Sequence, residues 1–129
     1  EMIPTVWMSQ DRIIEERSAI QSGGALAAVV DTRALPPDCN ILVRLRVPDG
    51  TVLCEWNSKR AGVFVGDTQS VRIEIGPMEL SPNYYSVNVY AMAADGHTLV
   101  AMSPWRQFKL VGEYANDVPL QLRGQWAAA

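Results

Sequence analysis

Apolar and polar side chains alternate with a period of two over most of this chain, the signature of half-buried strands rather than helices. In the run Ile41 to Val47, residues Ile41, Val43, Leu45 and Val47 share one face and Arg44 and Arg46 take the other. Pro48-Asp49-Gly50-Thr51 follows, and Val52 to Asn57 alternates again. Asp-Gly between two such runs predicts a type I′ hairpin. A two-residue turn sets Val47 opposite Val52, Leu45 opposite Cys54 and Val43 opposite Trp56, six apolar residues on one face. On the other face Arg44 meets Glu55 and Arg46 meets Leu53.

A second hairpin repeats the logic. Tyr85, Val87, Val89, Ala91 and Ala93 form one face of a strand, and Tyr84, Ser86, Asn88, Tyr90 and Met92 form the other. With a turn at Asp95-Gly96, Val100 faces Ala91, Met102 faces Val89, and Phe108 continues inward. Trp105 then falls opposite Ser86 on the polar face. Pro104 interrupts this strand, and proline sits only at sheet edges or bulges. Further strands are expected over 25–31, 71–75, 5–8 and 118–126. The stretch Asp11 to Ile20 reads as either helix or strand. The sum is an all-β chain of about seven or eight strands, an antiparallel sandwich of immunoglobulin-like or jelly-roll type. Its expected core includes Ile41, Val43, Leu45, Val47, Ile73, Val87, Val89 and Phe108.

Size and charge narrow the functions. The chain has 129 residues, which predicts a single domain over 1–129. Its net charge is −3, which argues against a nucleic-acid protein held by phosphate contacts. No apolar run approaches the roughly 18 residues of a membrane-spanning helix. No secretion signal opens the chain, although a start at Glu1 reads as a fragment from which one could have been lost.

Catalytic and metal chemistry find little footing. There is one histidine, His97, at the expected tip of the second hairpin, and no orienting partner for it can be named. GxGxxG, GxxxxGK[ST] and HExxH patterns are absent. The acidic residues are scattered, and several belong to turns. Cys39 and Cys54 fall too far apart in the hairpin register for a disulfide, so both read as free thiols acting as small buried hydrophobes. No cofactor, no metal and no enzymatic activity are expected.

The polar face of the two hairpins is more informative. It gathers Arg44, Arg46, Ser86, Asn88, Tyr90, Trp105 and Gln107, with Tyr84 beyond them. A sugar site needs an aromatic plate for the C–H face of the ring and planar multi-donor groups for its hydroxyls. Guanidinium groups could equally take an anionic cap such as a phosphate or carboxylate. The plainer alternative is a solvated face on which Arg44 simply pairs with Glu55.

Several motifs in order resemble a known family, the C-terminal carbohydrate-binding domain of the ATPase subunit of O-antigen ABC transporters, the Wzt type. Ser22-Gly23-Gly24-Ala25-Leu26 is similar to its small-residue lead into a strand. The run from Pro37 to Val47 followed by Asp49-Gly50 is similar to its extended strand and turn. Leu80-Ser81-Pro82-Asn83-Tyr84-Tyr85 resembles its L-x-P-G-x-Y lead into a long strand, with Asn83 in place of glycine. Phe108-Lys109-Leu110-Val111-Gly112 and Trp126 resemble its closing strands. The likeness spans about residues 12–126. It implies a β-sandwich at the cytoplasmic side of the inner membrane that recognises the modified non-reducing end of a finished polysaccharide. It also implies a homodimer, in some members with the last strand exchanged. The transporter's membrane subunit would be reached through an ATPase domain absent from this sequence. Rival readings are a structural or adhesion sandwich without glycan specificity, and a small hydrolase.

Overall fold

The computed structural model describes residues 2–112 and residue 127. Ten strands run in order: β1 (Thr5–Ser9), β2 (Arg12–Ile13), β3 (Ser18–Gln21), β4 (Leu26–Asp31), β5 (Asn40–Arg46), β6 (Val52–Asn57), β7 (Ser70–Ile75), β8 (Asn83–Met92), β9 (Leu99–Met102) and β10 (Arg106–Val111). They form a four-stranded sheet, β2-β1-β4-β7, and a six-stranded sheet, β3-β10-β8-β5-β6, with β9 paired to β8. Every pairing is antiparallel except β3 with β10. The chain is thus an all-β sandwich, and among the described residues the one helical turn is a 3-10 turn at Val65–Asp67. The stretch Asp11 to Ile20 resolves to strand, as β2 and the start of β3. The expected strand over 118–126 lies outside the described residues.

The core fills the space between the sheets. Trp7, Leu26, Ala28, Val30 and Ile75 from the small sheet meet Ile41, Val43, Leu45, Val87, Val89, Phe108 and Leu110 from the large one. Val47 and Ile73, also expected inside, are half-buried against this cluster. Along β5, β8 and β10 the alternation therefore reads the inward face correctly. Cys39 is buried as expected, but Cys54 is exposed. Its strand, β6, is the edge of the larger sheet, and Cys54 lines an open pocket there with Leu45, Trp56 and Ile75.

The turns depart from the expected ones. Gly50 has φ +92°, but Asp49 is not left-handed, so the first hairpin is not type I′. Instead the N–H of Gly50 donates to the carbonyl of Val47 (2.9 Å), and that of Val47 to the carbonyl of Thr51 (3.0 Å). Pro48 is the physical reason: its fixed φ suits the first corner of a type I turn, which moves Asp49 to the second corner and leaves Gly50 in the left-handed position. Arg46 consequently pairs with Val52, not Leu53, and Val47 closes on Thr51, not Val52. A bulge between Leu45 and Arg46 absorbs the difference, and Leu45–Cys54, Arg44–Glu55 and Val43–Trp56 pair as predicted. The turn whose two corners are both left-handed lies elsewhere, at Gln10 (φ 51°) and Asp11 (φ 61°) between β1 and β2.

The second hairpin slips twice. Met92 pairs with Leu99, but after a bulge Ala91 pairs with Ala101 and Tyr90 with Met102. Val100 and Met102 therefore do not face Ala91 and Val89; Ala101 is the inward residue. Pro104, which has no N–H, then ends β9. At the break Ser103 keeps the ladder whole: its N–H donates to the carbonyl of Val89, and its Oγ accepts from the N–H of Val89, both at 2.8 Å. When pairing resumes in β10, Gln107 lies opposite Ser86 and Phe108 opposite Tyr85. Trp105 is thus not opposite Ser86, but the two one-residue slips together restore parity, and Phe108 points inward as expected.

Candidate functional site

The outer face of the larger sheet carries the polar residues picked out by alternation. Arg44 and Arg46 stand on β5, directly beside Asn88 and Ser86 of β8. Tyr90 follows two residues along β8, so Asn88 and Tyr90 share that face. The loop from Ser103 to Trp105, freed from pairing by Pro104, brings the indole over the same spot.

Arg46 is the centre. It is 7% exposed. Its Nη1 donates to Asn88 Oδ1 (2.7 Å) and its Nη2 to the Tyr90 hydroxyl (3.0 Å). Its Cζ lies 4.4 Å from the centroid of the Trp105 ring and 5.7 Å from that of Tyr90. Arg44 stacks on Tyr90 with its Cζ 5.0 Å from the ring centroid. Among the described residues no carboxylate lies within ion-pair distance of Arg46, while Arg44 is 3.7 Å from Glu55. Two planar cations, two aromatic plates and a primary amide are therefore packed together, and one of the cations is buried with no counterion among the described residues.

Such a site is held under tension. A buried guanidinium without an anion is costly, and hydrogen bonds to neutral acceptors and ring faces offset only part of the loss of water. Asn88 is 0% exposed. Its Nδ2 and the Nε of Arg44 are buried without hydrogen-bond partners. Tyr90 feels both influences: burial pushes its phenol up, but the Asn88 amide and the Arg46 and Arg44 charges outweigh this and leave it below its ordinary value. The cluster presents donors and positive charge, with few acceptors. It suits a ligand rich in oxygen acceptors, and it contains no nucleophile with an adjacent base.

Of the seven residues expected here, the structure brings Arg44, Arg46, Asn88, Tyr90 and Trp105 together. Ser86 lies between Arg46 and Gln107 on neighbouring strands. Gln107 is engaged elsewhere: its Oε1 accepts from Arg17 Nε (3.2 Å). Arg17 escaped the sequence reading. It lies in the short segment before β3, where its backbone is left-handed (φ 63°) and its N–H donates to the carbonyl of Gln107 (2.7 Å). A contact across ninety positions of sequence leaves no local pattern to read. Among the described residues no group of three or more His, Cys, Asp or Glu side chains could hold a metal ion.

The fold and face together define a β-sandwich with a cationic, aromatic patch on the outer surface of its larger sheet. The same fold is found in a solved structure described as the crystal structure of the C-terminal domain of wzt. The two superpose with a TM-score of 0.67 over 100% of this chain and 83% of that one, at 11% sequence identity. The resemblance carried by the sequence motifs thus holds at the level of fold. No protein-family model and no curated protein matches the sequence. Among the described residues no helix is long and apolar enough to cross a membrane.

Proposed function

We propose that this chain is a non-catalytic glycan-binding domain that holds the modified non-reducing end of an O-antigen-type polysaccharide for export by an ABC transporter. The observation that carries this reading is the Arg46–Asn88–Tyr90–Trp105 cluster: a desolvated guanidinium framed by aromatic rings, above a buried amide. Trp105 and Tyr90 offer plates for the C–H face of a sugar ring. Arg46 and Arg44 offer paired donors for vicinal hydroxyls or for an anionic cap on the terminal residue. The likeness in fold to the C-terminal domain of Wzt supports the placement among polysaccharide exporters.

On this reading the domain belongs to a longer ATPase subunit and works at the cytoplasmic face of the inner membrane, as a homodimer. The ATPase portion would join it to the transporter's membrane subunit. Calorimetric titration with an O-polysaccharide bearing its terminal modification, and with the same polymer after removal of that modification, tests the function. Binding is expected for the first and at least tenfold weaker binding for the second. Equal binding would remove the claim of end recognition. Light scattering at micromolar concentration tests the dimer, and a monomer that binds glycan would remove that claim.

A further inference from the structure

The protein carries a net charge of −3, yet four of its eleven Lys and Arg residues stand on or reach the outer face of the larger sheet. Beyond Arg44 and Arg46, Arg17 reaches this face to touch Gln107, and Lys109 stands beside Tyr84 in the β8–β10 register. The Nζ of Lys109 lies 5.8 Å from the centroid of the Tyr84 ring, and Tyr84 is 39% exposed. Of these four cations only Arg44 has a carboxylate within ion-pair distance among the described residues. Arg46, Arg17 and Lys109 have no such partner among the described residues, and the nearby Glu16 is engaged by the Gln107 N–H and by Arg106. Tyr84 and Tyr90 are six residues apart on one strand, which separates the two aromatic positions by roughly 20 Å at about 3.3 Å per residue. Arg46 and Arg17 fall between them, spread over neighbouring strands. The face is therefore a track with aromatic rings at both ends and unpaired positive charge along it, not a single pocket.

We infer that the polysaccharide this face takes is an acidic one, with a carboxylate or phosphate recurring along the chain. Its terminal residue lies against Arg46 and Trp105, and the following residues cross toward Arg17, Lys109 and Tyr84. This rests on the glycan-binding reading above and adds to it the substrate class and the direction of the chain. A neutral glycan would leave three cations without anions on a protein that is otherwise acidic. Nucleic acid, the other common polyanion, carries a charge about every 3.4 Å of strand, too dense for a few cations spread over a track of roughly 20 Å.

The test measures binding of the whole chain to four polymers: polygalacturonate, a phosphorylated mannan, an unmodified neutral mannan and oligo-deoxythymidine. Lys109→Gln and Arg17→Ala accompany the parent, each checked by thermal melt. One or both acidic glycans are expected to bind at least about tenfold more tightly than neutral mannan at low salt, and to lose that margin as added salt screens the charges. Which acidic glycan binds separates carboxylate from phosphate. Each variant is expected to weaken acidic-glycan binding about three- to tenfold. Equal binding of neutral mannan, with the variants unchanged, would overturn the acidic substrate while sparing the glycan-binding reading. Binding of none of the glycans would overturn both. Oligo-deoxythymidine bound as tightly as the acidic glycans would reassign the face to nucleic acid and overturn the inference.

Discussion

Two arginines show how differently the two sheets treat charge. Arg33, just beyond β4 of the smaller sheet, has a side chain that is 69% exposed. It donates to Asp31 two residues earlier, with Nη2 2.6 Å from Oδ2 and Nε 3.1 Å from Oδ1. That pair is local, wet and neutral. Arg46, on the larger sheet, is buried, bonded to residues more than forty positions away, and faces no carboxylate among the described residues. The first arrangement is what a surface makes of nearby opposite charges, and such pairs contribute little to stability. The second opposes folding unless its surroundings are satisfied, because desolvating an unneutralised guanidinium is unfavourable. On the proposed function, this charge, dry and without a counterion among the described residues, is met by an anion or hydroxyl group that arrives with the glycan.

The largest expected effect strikes both sheets at once, because they share one core. Val89 is fully buried on β8, directly behind the face that bears Asn88 and Tyr90. Val89→Asp places an unpaired charge there at a cost of several kcal/mol, against a total stability of about 5–15 kcal/mol. The domain is expected to unfold, as circular dichroism would show. A folded Val89→Asp protein would mean that the inward parity of β8 is wrong, and the comparison of faces with it.

Next comes the contrast itself. Arg46→Ala and Tyr90→Ala are each expected to weaken glycan binding by about 1–3 kcal/mol, since each leaves a desolvated partner group unpaired. Neither unfolds the protein, because both side chains stand on the outer face. Arg33→Ala is expected to leave binding unchanged. Calorimetry on the three variants decides the matter: a loss at Arg33 matching that at Arg46 would abolish the distinction between the sheets.

A smaller effect tests how the larger sheet builds its site. Ser103 Oγ accepts the buried N–H of Val89 where Pro104 ends β9. Ser103→Ala orphans that N–H and is expected to cost about 1–2 kcal/mol of stability. It should also weaken binding modestly, because the same residue anchors the loop that carries Trp105 over Arg46. Denaturant unfolding alongside titration separates the two effects. A variant as stable as the parent would show that the break needs no side-chain partner.

The sandwich and the position of its polar face were legible because a period of two reports which side of a strand is covered, and Arg44, Arg46, Asn88 and Tyr90 obey it on neighbouring strands of one sheet. Turn chemistry was legible only in part. Asp49-Gly50 marked a hairpin, but Pro48 chose the turn type, and the resulting bulge moved Arg46 from Leu53 to Val52. Trp105 reached the site although its expected partner was wrong, because the unpaired loop around Pro104 carries it over Arg46. Cys54 was misread for a reason alternation cannot see: it stands on an edge strand beside an open pocket, where inward parity does not ensure burial. Arg17 left no signal, since its place depends on a left-handed residue and a contact with a distant strand.

The smallest effect concerns the exposed pair, and its sign follows from Asp31. The Arg33 side chain, and then its backbone N–H, hold the Asp31 carboxyl down at about 2, against an ordinary value of 3.8. A carboxyl lowered by folding stabilises the folded state above its ordinary value, and that contribution disappears as the pH falls from about 4 toward 2. Arg33→Ala removes the larger influence and keeps the backbone donor, so the Asp31 carboxyl is expected to move part of the way back toward 3.8. Carbon NMR titration reads this directly. Asp95, held at about 2 by Thr98 and His97 on the second hairpin, should stay where it is and serves as the internal reference. The melting temperature at neutral pH should barely move, because an exposed pair gains little from Coulomb attraction in water. Parent and variant should converge further below pH 2, where both carboxyls are protonated. A large drop in melting temperature at pH 7 would mean that Arg33 does for the small sheet more than its exposure allows, and that the two arginines differ less than their surroundings imply.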